Sequence, residues 1–182
     1  SPVIKRGELS KKVYLPEGRW AVLGQSGNYI EGKRFITIDA PIDSIPVFAR
    51  EGSIIPLIDE DILTNIDIPN IYQSNSEKMK KRIVLVYLGK DRKFSEYNGT
   101  IYSLRNISAP IPGAEPEFKI QDNEIYECGD TRLNCYSRTE NGKYSVYTNS
   151  KKKLSIIFNK AKVAEFEIIS KENFDAEVRL FY

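Results

Sequence analysis

Carboxylates offer the widest choice of chemistry in this 182-residue chain, because it holds 25 acidic residues and no histidine. The lack of histidine excludes Ser-His-Asp and Cys-His nucleophiles and every His-containing metal site. Two carboxylates about 5–9.5 Å apart can cleave a glycosidic bond, and clustered carboxylates can bind Ca²⁺. With so many acidic residues the sequence singles out no pair, so we assign no catalytic residue.

Three acidic positions have a structural interpretation. The run Asp59–Asp61 lacks the spaced ligands of a calcium loop and is interpreted as a solvated loop, so we predict no metal site and no cofactor. Asp43 stands between two X-Pro steps, where an Asp accepts hydrogen bonds from nearby backbone N–H groups and fixes a turn. Arg50 and Glu51 are interpreted as a surface ion pair.

Aromatic side chains are the candidates for contact with sugars. Trp20 can stack on a sugar ring, but a lone Trp near the start of a strand is more often partly buried. The 11 tyrosines are equally eligible as stacking platforms. The sequence does not choose among them, and carbohydrate-binding residues stay unassigned.

Charge and hydropathy exclude two classes of partner. A net charge of +2 is not the clustered basic surface of a nucleic-acid-binding protein. The longest apolar run, Ile83–Leu88, is far shorter than the roughly 18 residues of a membrane span. We therefore predict neither nucleic acid nor membrane as a partner.

The chain ends and the cysteines bear on processing and compartment. The N-terminus has neither an initiator Met nor the apolar region of a signal peptide, so we expect a processed or excised chain. Cys128 and Cys135 can face each other across a hairpin, but such sparse cysteine usage favours two unpaired thiols. The compartment is left open, with a small preference for the cytoplasm.

The elements that position these residues are predicted to be strands. Ala164, Phe166 and Ile168 alternate with Glu165 and Glu167, the pattern of a strand with one buried face. Val178, Leu180 and Tyr182 alternate in the same way with Glu177, Arg179 and Phe181. Further strand-like segments recur every 8–12 residues, and no helix of normal length is visible. These segments are Lys11–Leu15, Arg19–Leu23, Arg34–Ile38, Ile45–Ala49, Ser53–Leu57 and Arg82–Leu88.

Turns and linkers complete the predicted fold, which is all-β with two antiparallel β-sandwich domains. Asn98-Gly99 and Asn141-Gly142 suit type I′ hairpin turns. The linker-like stretch before the basic run Glu77–Arg82 marks a boundary near residues 73–81, giving domains 1–76 and 77–182. The three prolines of Ala109–Pro116 exclude a central strand and predict a connection between strands.

Lys12–Trp20 and Ala40–Pro56 are two contiguous segments that resemble known motifs, VYLP-G-W and APLD-IPVFVR-GSIIP. These are motifs of glycoside hydrolase family 31, the α-glucosidases and α-xylosidases, which the chain therefore resembles. Both belong to the proximal C-terminal β-sandwich that follows the catalytic barrel. Ser1–Ile4 resembles the end of the VAPVL strand that opens this domain, so we expect the chain to begin within that strand. Arg82–Leu104 resembles the start of the distal C-terminal β domain, although Ser95–Thr100 departs from the family's Tyr-Glu-Asp-Asp-Gly turn.

The resemblance implies a function without catalysis. The family's catalytic aspartates lie on the barrel, and no WxDMNE-like segment occurs in these residues. The chain is therefore expected to be inactive alone and to buttress a catalytic (β/α)8 barrel of an enzyme that hydrolyses α-glycosidic bonds. The alternatives are a free-standing carbohydrate-binding β-sandwich and a pairing module without a ligand. A coplanar exposed aromatic pair favours the sugar-binding module, whereas a large apolar patch on the first domain favours the accessory region.

An apolar face of the first domain is the predicted contact with the barrel. Alternation breaks down in Ile54–Leu57, where consecutive apolar residues must point to both faces of a strand. We therefore expect at least one of Ile54, Ile55 and Leu57 to be exposed in the isolated chain. The candidates for this face are Val13, Leu15, Val47, Phe48, Ile54, Ile55 and Leu57.

Overall fold

The structure is a computed structural model. All the regular secondary structure among its described residues is β-strand. The all-β prediction is confirmed. Contacts between residues divide the chain after Glu51 into unit 1, Ser1–Glu51, and unit 2, Gly52–Tyr182. The described residues are 7–25, 29–58, 81–89, 93–97, 99–111, 113–121, 123–127, 134–138, 142–149, 152–171 and 174–182.

Unit 1 is built from short antiparallel strands. One pair forms a ribbon, β1 with β4, and the other three strands form a sheet in the order β3-β2-β5. The strands are β1 (Ser10–Leu15), β2 (Arg19–Val22), β3 (Ile30–Glu31), β4 (Arg34–Asp39) and β5 (Phe48–Arg50).

Unit 2 consists of two six-stranded sheets that pack on one apolar core. One sheet has the order β11-β10-β15-β16-β9-β8, and the other has the order β12-β13-β14-β17-β7-β6. Its strands are β6 (Ile54–Ile58), β7 (Lys81–Tyr87), β8 (Lys93–Tyr97), β9 (Thr100–Asn106), β10 (Pro116–Ile120), β11 (Asn123–Glu124), β12 (Tyr126–Glu127), β13 (Cys135–Arg138), β14 (Tyr144–Asn149), β15 (Lys153–Phe158), β16 (Ala161–Ile169) and β17 (Asp175–Phe181).

The second sheet is mixed rather than purely antiparallel. β7 pairs with β17 in parallel, as does β12 with β13. Parallel neighbours need a long connection, which the many residues between β7 and β17 provide. β7 lies between β6 and β17, and Ile83–Leu88 are all buried, which explains their continuous apolar sequence.

The predicted domain boundary near residues 73–81 falls largely outside the described residues and stays a prediction. The described strands on either side of that gap, β6 and β7, pair with each other through Ile55 and Leu85. β6 is thus part of the unit 2 sheet.

Alternation correctly predicts the faces of β16 and fails for β17. Phe166 and Ile168 are buried, and their neighbours Glu165 and Glu167 are half-buried. In β17, however, Glu177 and Phe181 are buried although they were predicted to face water. β17 lies between β14 and β7, and Phe181 stacks on Tyr87 with ring centroids 4.5 Å apart. A central strand with both faces covered has no solvent-exposed face.

The pairing of the strands agrees with the first predicted hairpin and with the predicted Pro-rich connection. β8 and β9 form a hairpin with Tyr97 opposite Thr100, and Gly99 between them has φ of 74°, as a type I′ turn requires. β13 and β14 also pair, with Arg138 opposite Tyr144, and Asn141 of the turn predicted between them lies outside the described residues. The Pro-rich segment connects β9 and β10 as predicted, and Pro116 is the first residue of β10, a position that a strand tolerates.

The preference for unpaired thiols is wrong. Cys135, the first residue of β13, is disulfide-bonded, and the described residues contain no free cysteine. The chain's other cysteine, Cys128, lies outside the described residues. One disulfide requires only that two thiols lie close together in the fold. The number of cysteines in the sequence does not show whether they do.

Candidate docking surface and aromatic cluster

The two family-like motifs meet in the sheet of unit 1. β2 pairs with β5, so that Trp20 lies opposite Arg50. The Glu51 N–H donates a hydrogen bond of 2.8 Å to the carbonyl oxygen of Arg19. Two sequence-distant motifs therefore form one local structure.

The Pro16–Gly18 turn is held by a close crossing of two backbone segments. The Gly32 N–H donates to the Gly18 carbonyl at 2.7 Å, and the Trp20 indole N–H donates to the Pro16 carbonyl at 2.8 Å. A Cβ atom on Gly32 would lie 1.8 Å from the Pro16 oxygen. Trp20 is partly buried, as predicted, and its one polar atom is engaged in the turn.

Glu51 is not half of a surface pair with Arg50, and that prediction is wrong. Glu51 is buried, and its carboxylate pairs with Arg19 at 3.4 Å. Arg19 also reaches Glu31 at 3.5 Å and lies over the ring of Tyr29. Because β5 brings Glu51 against β2, its partner comes from the neighbouring strand and not from the adjacent residue.

The predicted structural role of Asp43 is also wrong. Asp43 is exposed, and its carboxylate has no hydrogen bond to any residue that the structure describes. The turn is closed by the backbone instead, since the Ser44 N–H donates to the Pro41 carbonyl at 2.9 Å. Asp43 is therefore available to a partner.

The loop around Asp43 exposes large apolar side chains. Ile42, Ile45 and Val47 are 102%, 64% and 46% exposed. We call Pro41–Val47 the docking loop. Three isolated apolar side chains on a surface are ordinary, but three within six residues form a patch of the kind that marks an interaction site.

The core of unit 1 is small by comparison. Its buried hydrophobic residues in the described segments are one leucine and three alanines, namely Leu15, Ala21, Ala40 and Ala49. Among its described residues, unit 1 thus exposes more large apolar side chains than it buries, which is the reverse of an independently stable domain.

A second exposed apolar feature lies on the β1–β4 ribbon. Tyr14 and Phe35 are opposite each other and exposed, and their ring centroids are 5.1 Å apart. The rings are inclined at 59°, and the ammonium of Lys12 lies 4.9 Å from the Phe35 centroid. This pair is not coplanar and does not present a flat platform to a sugar.

The residues predicted to form one apolar face belong to both units, and only some of them are exposed. Leu57 is 37% exposed, which confirms that at least one residue of the Ile54–Leu57 strand faces solvent. Ile54 belongs to the core of unit 2, and Ile55 is half-buried. In unit 1, Leu15 is buried and Val47 is exposed. Val13 and Phe48 are half-buried.

Unit 2 carries a cluster of tyrosines where its two sheets meet. The tyrosine cluster comprises Tyr136 on β13, Tyr144 on β14 and Tyr182 after β17. The Tyr144 ring centroid lies 6.3 Å from that of Tyr136 and 6.1 Å from that of Tyr182. Phe118, on β10 of the other sheet, contacts the cluster at 5.8 Å from Tyr144. Four separate strand regions therefore supply one group of rings.

The cluster perturbs the acidity of its phenols. Burial, reinforced by Tyr182, raises the pKa of Tyr144 to about 12. Burial and the charge of Glu127 also raise the pKa of Tyr136. Both hydroxyls therefore keep their protons to a higher pH than an ordinary tyrosine does.

This shift predicts alkaline sensitivity. The phenol of Tyr144 holds its proton more tightly in the folded chain, with a pKa of about 12 against 10.0, so its stabilising contribution is complete below pH 10 and is lost between pH 10 and 12. Urea unfolding of unit 2, followed by circular dichroism at pH 8, 10 and 11, should show falling stability. In Tyr144→Phe the fall should be smaller. A variant that loses stability as steeply as the original chain would contradict this assignment.

Other predicted sites lie elsewhere or outside the described residues. Asp59–Asp61 and most of the basic run Glu77–Arg82 are not among the described residues, and Arg82 is buried. Within the described part of the chain, no group of three His, Cys, Asp or Glu side chains is placed to hold a metal ion. None of the described segments forms a helix long and apolar enough to cross a membrane.

Residues 1–55 match the family model for the glycosyl hydrolase family 31 C-terminal domain. They include the first motif, the docking loop and all but the last residue of the second motif. The resemblance to family 31 is confirmed over these residues. An isomaltosyltransferase of Sporosarcina globispora is 42% identical over 57 residues, which are 31% of this chain and 5% of the relative. An alpha-xylosidase of Saccharolobus solfataricus is 30% identical over 99 residues, or 54% of this chain and 12% of the relative.

The similarity in fold extends beyond the family-matched segment. A solved GH31 dextranase of Flavobacterium johnsoniae aligns with 93% of this chain and 25% of its own, with a TM-score of 0.53 and 19% identity. At this identity the alignment speaks for the fold alone. The chain spans a small part of the curated relatives and about a quarter of the dextranase.

Proposed function

We propose that this chain is the non-catalytic C-terminal accessory region of a family 31 enzyme that acts on α-glycosidic bonds. The observation that carries the proposal is the docking loop, which exposes Ile42, Ile45 and Val47 inside the segment that matches the family. Leaving one such side chain in water forgoes about 1.5–3 kcal/mol. Covering the loop with the enzyme's catalytic barrel would supply a substantial driving force for docking.

The small core of unit 1 supports this role. Only Leu15 among its described buried residues is a large hydrophobe, and domains of this size seldom gain more than about 3–5 kcal/mol from their own core. Unit 1 is therefore expected to need an external apolar surface. The barrel, which precedes this domain in family 31 enzymes, is the proposed source of that surface.

The proposal assigns no catalysis to this chain. The family's acid and nucleophile belong to the barrel, so we expect the chain alone to be inactive on aryl α-glucosides and α-xylosides. The exposed carboxylate of Asp43 fits a contact with the barrel better than a catalytic role, because it sits within the apolar docking loop.

The alternative, a free-standing carbohydrate-binding β-sandwich, has weaker support in unit 1. The exposed aromatic pair Tyr14 and Phe35 is inclined at 59°, whereas a sugar ring stacks best on a flat face. The docking loop contains no aromatic residue on which a sugar ring could stack.

The test compares two double variants of this chain. The chain and the polypeptide encoded directly upstream of Ser1 are produced separately, and their association is measured by analytical ultracentrifugation. Ile42→Asp with Ile45→Asp should weaken association by about 100-fold or more, because two covered isoleucines contribute roughly 3 kcal/mol or more.

The matched control is Ile107→Asp with Ile111→Asp, which changes two exposed isoleucines in the connection between β9 and β10 of unit 2. It should leave association unchanged, and both double variants should unfold at the same urea concentration as the original chain. Equal weakening by the two double variants, or the lack of any barrel-sized upstream segment, would contradict the proposal.

A further inference from the structure

The docking loop is held in a fixed shape by contacts at both of its ends. Before the loop, Ala40 is 1% exposed, and its N–H donates a hydrogen bond of 2.8 Å to the Leu9 carbonyl. At the other end, Pro46 is buried, and the Val47 carbonyl accepts a hydrogen bond of 2.8 Å from the Leu23 N–H. The exposed side chains between these anchors are therefore presented on a preorganised loop, which lowers the cost of binding a partner.

Asp43 stands between the two isoleucines of this loop in the sequence, and the loop does not need its carboxylate. The turn is closed by the Ser44 N–H and the Pro41 carbonyl, and the carboxylate makes no hydrogen bond with any described residue. Asp43 directly follows Ile42 and precedes Ile45 by two residues, and all three are exposed. The loop therefore presents a carboxylate within an apolar patch, which is more than hydrophobic docking alone requires.

Covering the apolar patch has a consequence for this carboxylate. A surface that covers both isoleucines also covers the residue between them. Removing a carboxylate from water without a partner for its charge carries a penalty that offsets the gain from the apolar contacts. The penalty is compensated when the partner brings a cation to the carboxylate and forms a charge-assisted hydrogen bond. Among surfaces that are equally apolar, the loop therefore selects one that carries a cation at this point.

We propose that the surface covering the docking loop is an apolar patch of the upstream barrel with one cationic side chain set in it, and that Asp43 pairs with that cation. The isoleucines supply most of the affinity. The carboxylate supplies specificity, because an apolar surface without the cation leaves Asp43 buried and unpaired. This inference rests on the proposed docking role of unit 1 and adds the chemistry of the surface that the loop recognises.

The experiment measures the rates of association and dissociation between this chain and the polypeptide encoded directly upstream of Ser1, by biolayer interferometry. Asp43→Asn keeps the shape of the side chain and removes its charge. We expect binding to weaken by about 30-fold or more, because the variant leaves the cation of the partner buried and unpaired. The loss should come from faster dissociation, with the association rate little changed. The Asn amide still accepts hydrogen bonds, so a partner with only neutral N–H donors would bind the variant nearly as well.

Glu17→Gln is the matched control, because it removes one negative charge from another exposed residue of unit 1. Glu17 follows β1 at the Leu15 end of the β1–β4 ribbon, whereas the docking loop follows β4 at the Asp39 end. Glu17→Gln should bind as the original chain does. Both variants should unfold at the same urea concentration as the original chain, since the Asp43 carboxylate bonds to no described residue.

The outcomes separate the cation pair from the docking role itself. Unchanged binding by Asp43→Asn, or equal weakening by Glu17→Gln, would overturn the cation pair and leave the docking role in place. A lower urea midpoint for Asp43→Asn would also overturn the pair, because the carboxylate would then serve the fold of unit 1. Failure of the original chain to bind the upstream polypeptide would overturn both the docking role and the cation pair.

Discussion

Gly32→Ala is expected to unfold unit 1 while unit 2 stays folded. The new methyl group would lie 1.8 Å from the Pro16 carbonyl oxygen and 2.8 Å from that of Gly18. Both contacts are with backbone, which cannot rotate away as a side chain can. Relief requires opening the crossing that also carries the Gly32–Gly18 hydrogen bond. We expect a cost of about 4 kcal/mol or more, among the largest for a single substitution.

The chain contains its own reporter for this experiment. Trp20 is the only tryptophan, and its indole is bonded to the same Pro16 carbonyl. Its fluorescence should shift to that of a solvated indole in Gly32→Ala, without denaturant. In Gly24→Ala, where a Cβ meets nothing within 4 Å and φ is 81°, only the backbone cost of about 1–2 kcal/mol remains. Native-like Trp20 fluorescence in Gly32→Ala would refute the role of this crossing.

Phe166→Ala should have a comparable effect on unit 2. Phe166 is fully buried on β16, opposite Leu154 on one side and Leu104 on the other. Its ring stacks on Tyr102 with centroids 6.4 Å apart. Truncation removes this packing and leaves a cavity in the sandwich core, at a cost of about 3–5 kcal/mol. This cost is a large share of a typical domain's stability of roughly 5–15 kcal/mol.

The matched control lies on the same strand. Ile169 is exposed on β16, so Ile169→Ala should change stability by no more than about 0.5 kcal/mol. Urea unfolding followed by circular dichroism gives both values, because unit 2 contains most of the strands. Equal midpoints for the two variants would mean that Phe166 is not at the centre of the unit 2 core.

Local pattern alone predicts the strands and most turns of this protein. Strand side chains alternate with period two, so the buried face of β16 can be read from Phe166 and Ile168 without the structure. Gly99 needs a positive φ that few other residues adopt, and this requirement marks a hairpin. The family resemblance depends on the same local signals, since its motifs are contiguous segments.

The pairing of segments that are distant in the sequence decides which strand faces are buried and which polar side chains are partners. The local sequence pattern does not. β7 and β17 pair in parallel, which covers both faces of β17 and buries Glu177. Glu51 finds Arg19 because β5 lies beside β2. The partner of a polar side chain depends on which strands become neighbours, and the alternation within one strand carries no information about that.

For the candidate surfaces too, the sequence predicts one part and the tertiary structure decides the rest. The sequence identifies the segment Ala40–Pro56 as family-like, but only the tertiary structure shows that Asp43 has no partner among the described residues and that Ile42 faces solvent. The tyrosine cluster has no sequence signature, because Tyr136, Tyr144 and Tyr182 come together only when β13, β14 and β17 pair. Burial and exposure depend on the sum of contacts from the whole fold, so they emerge only in the folded chain.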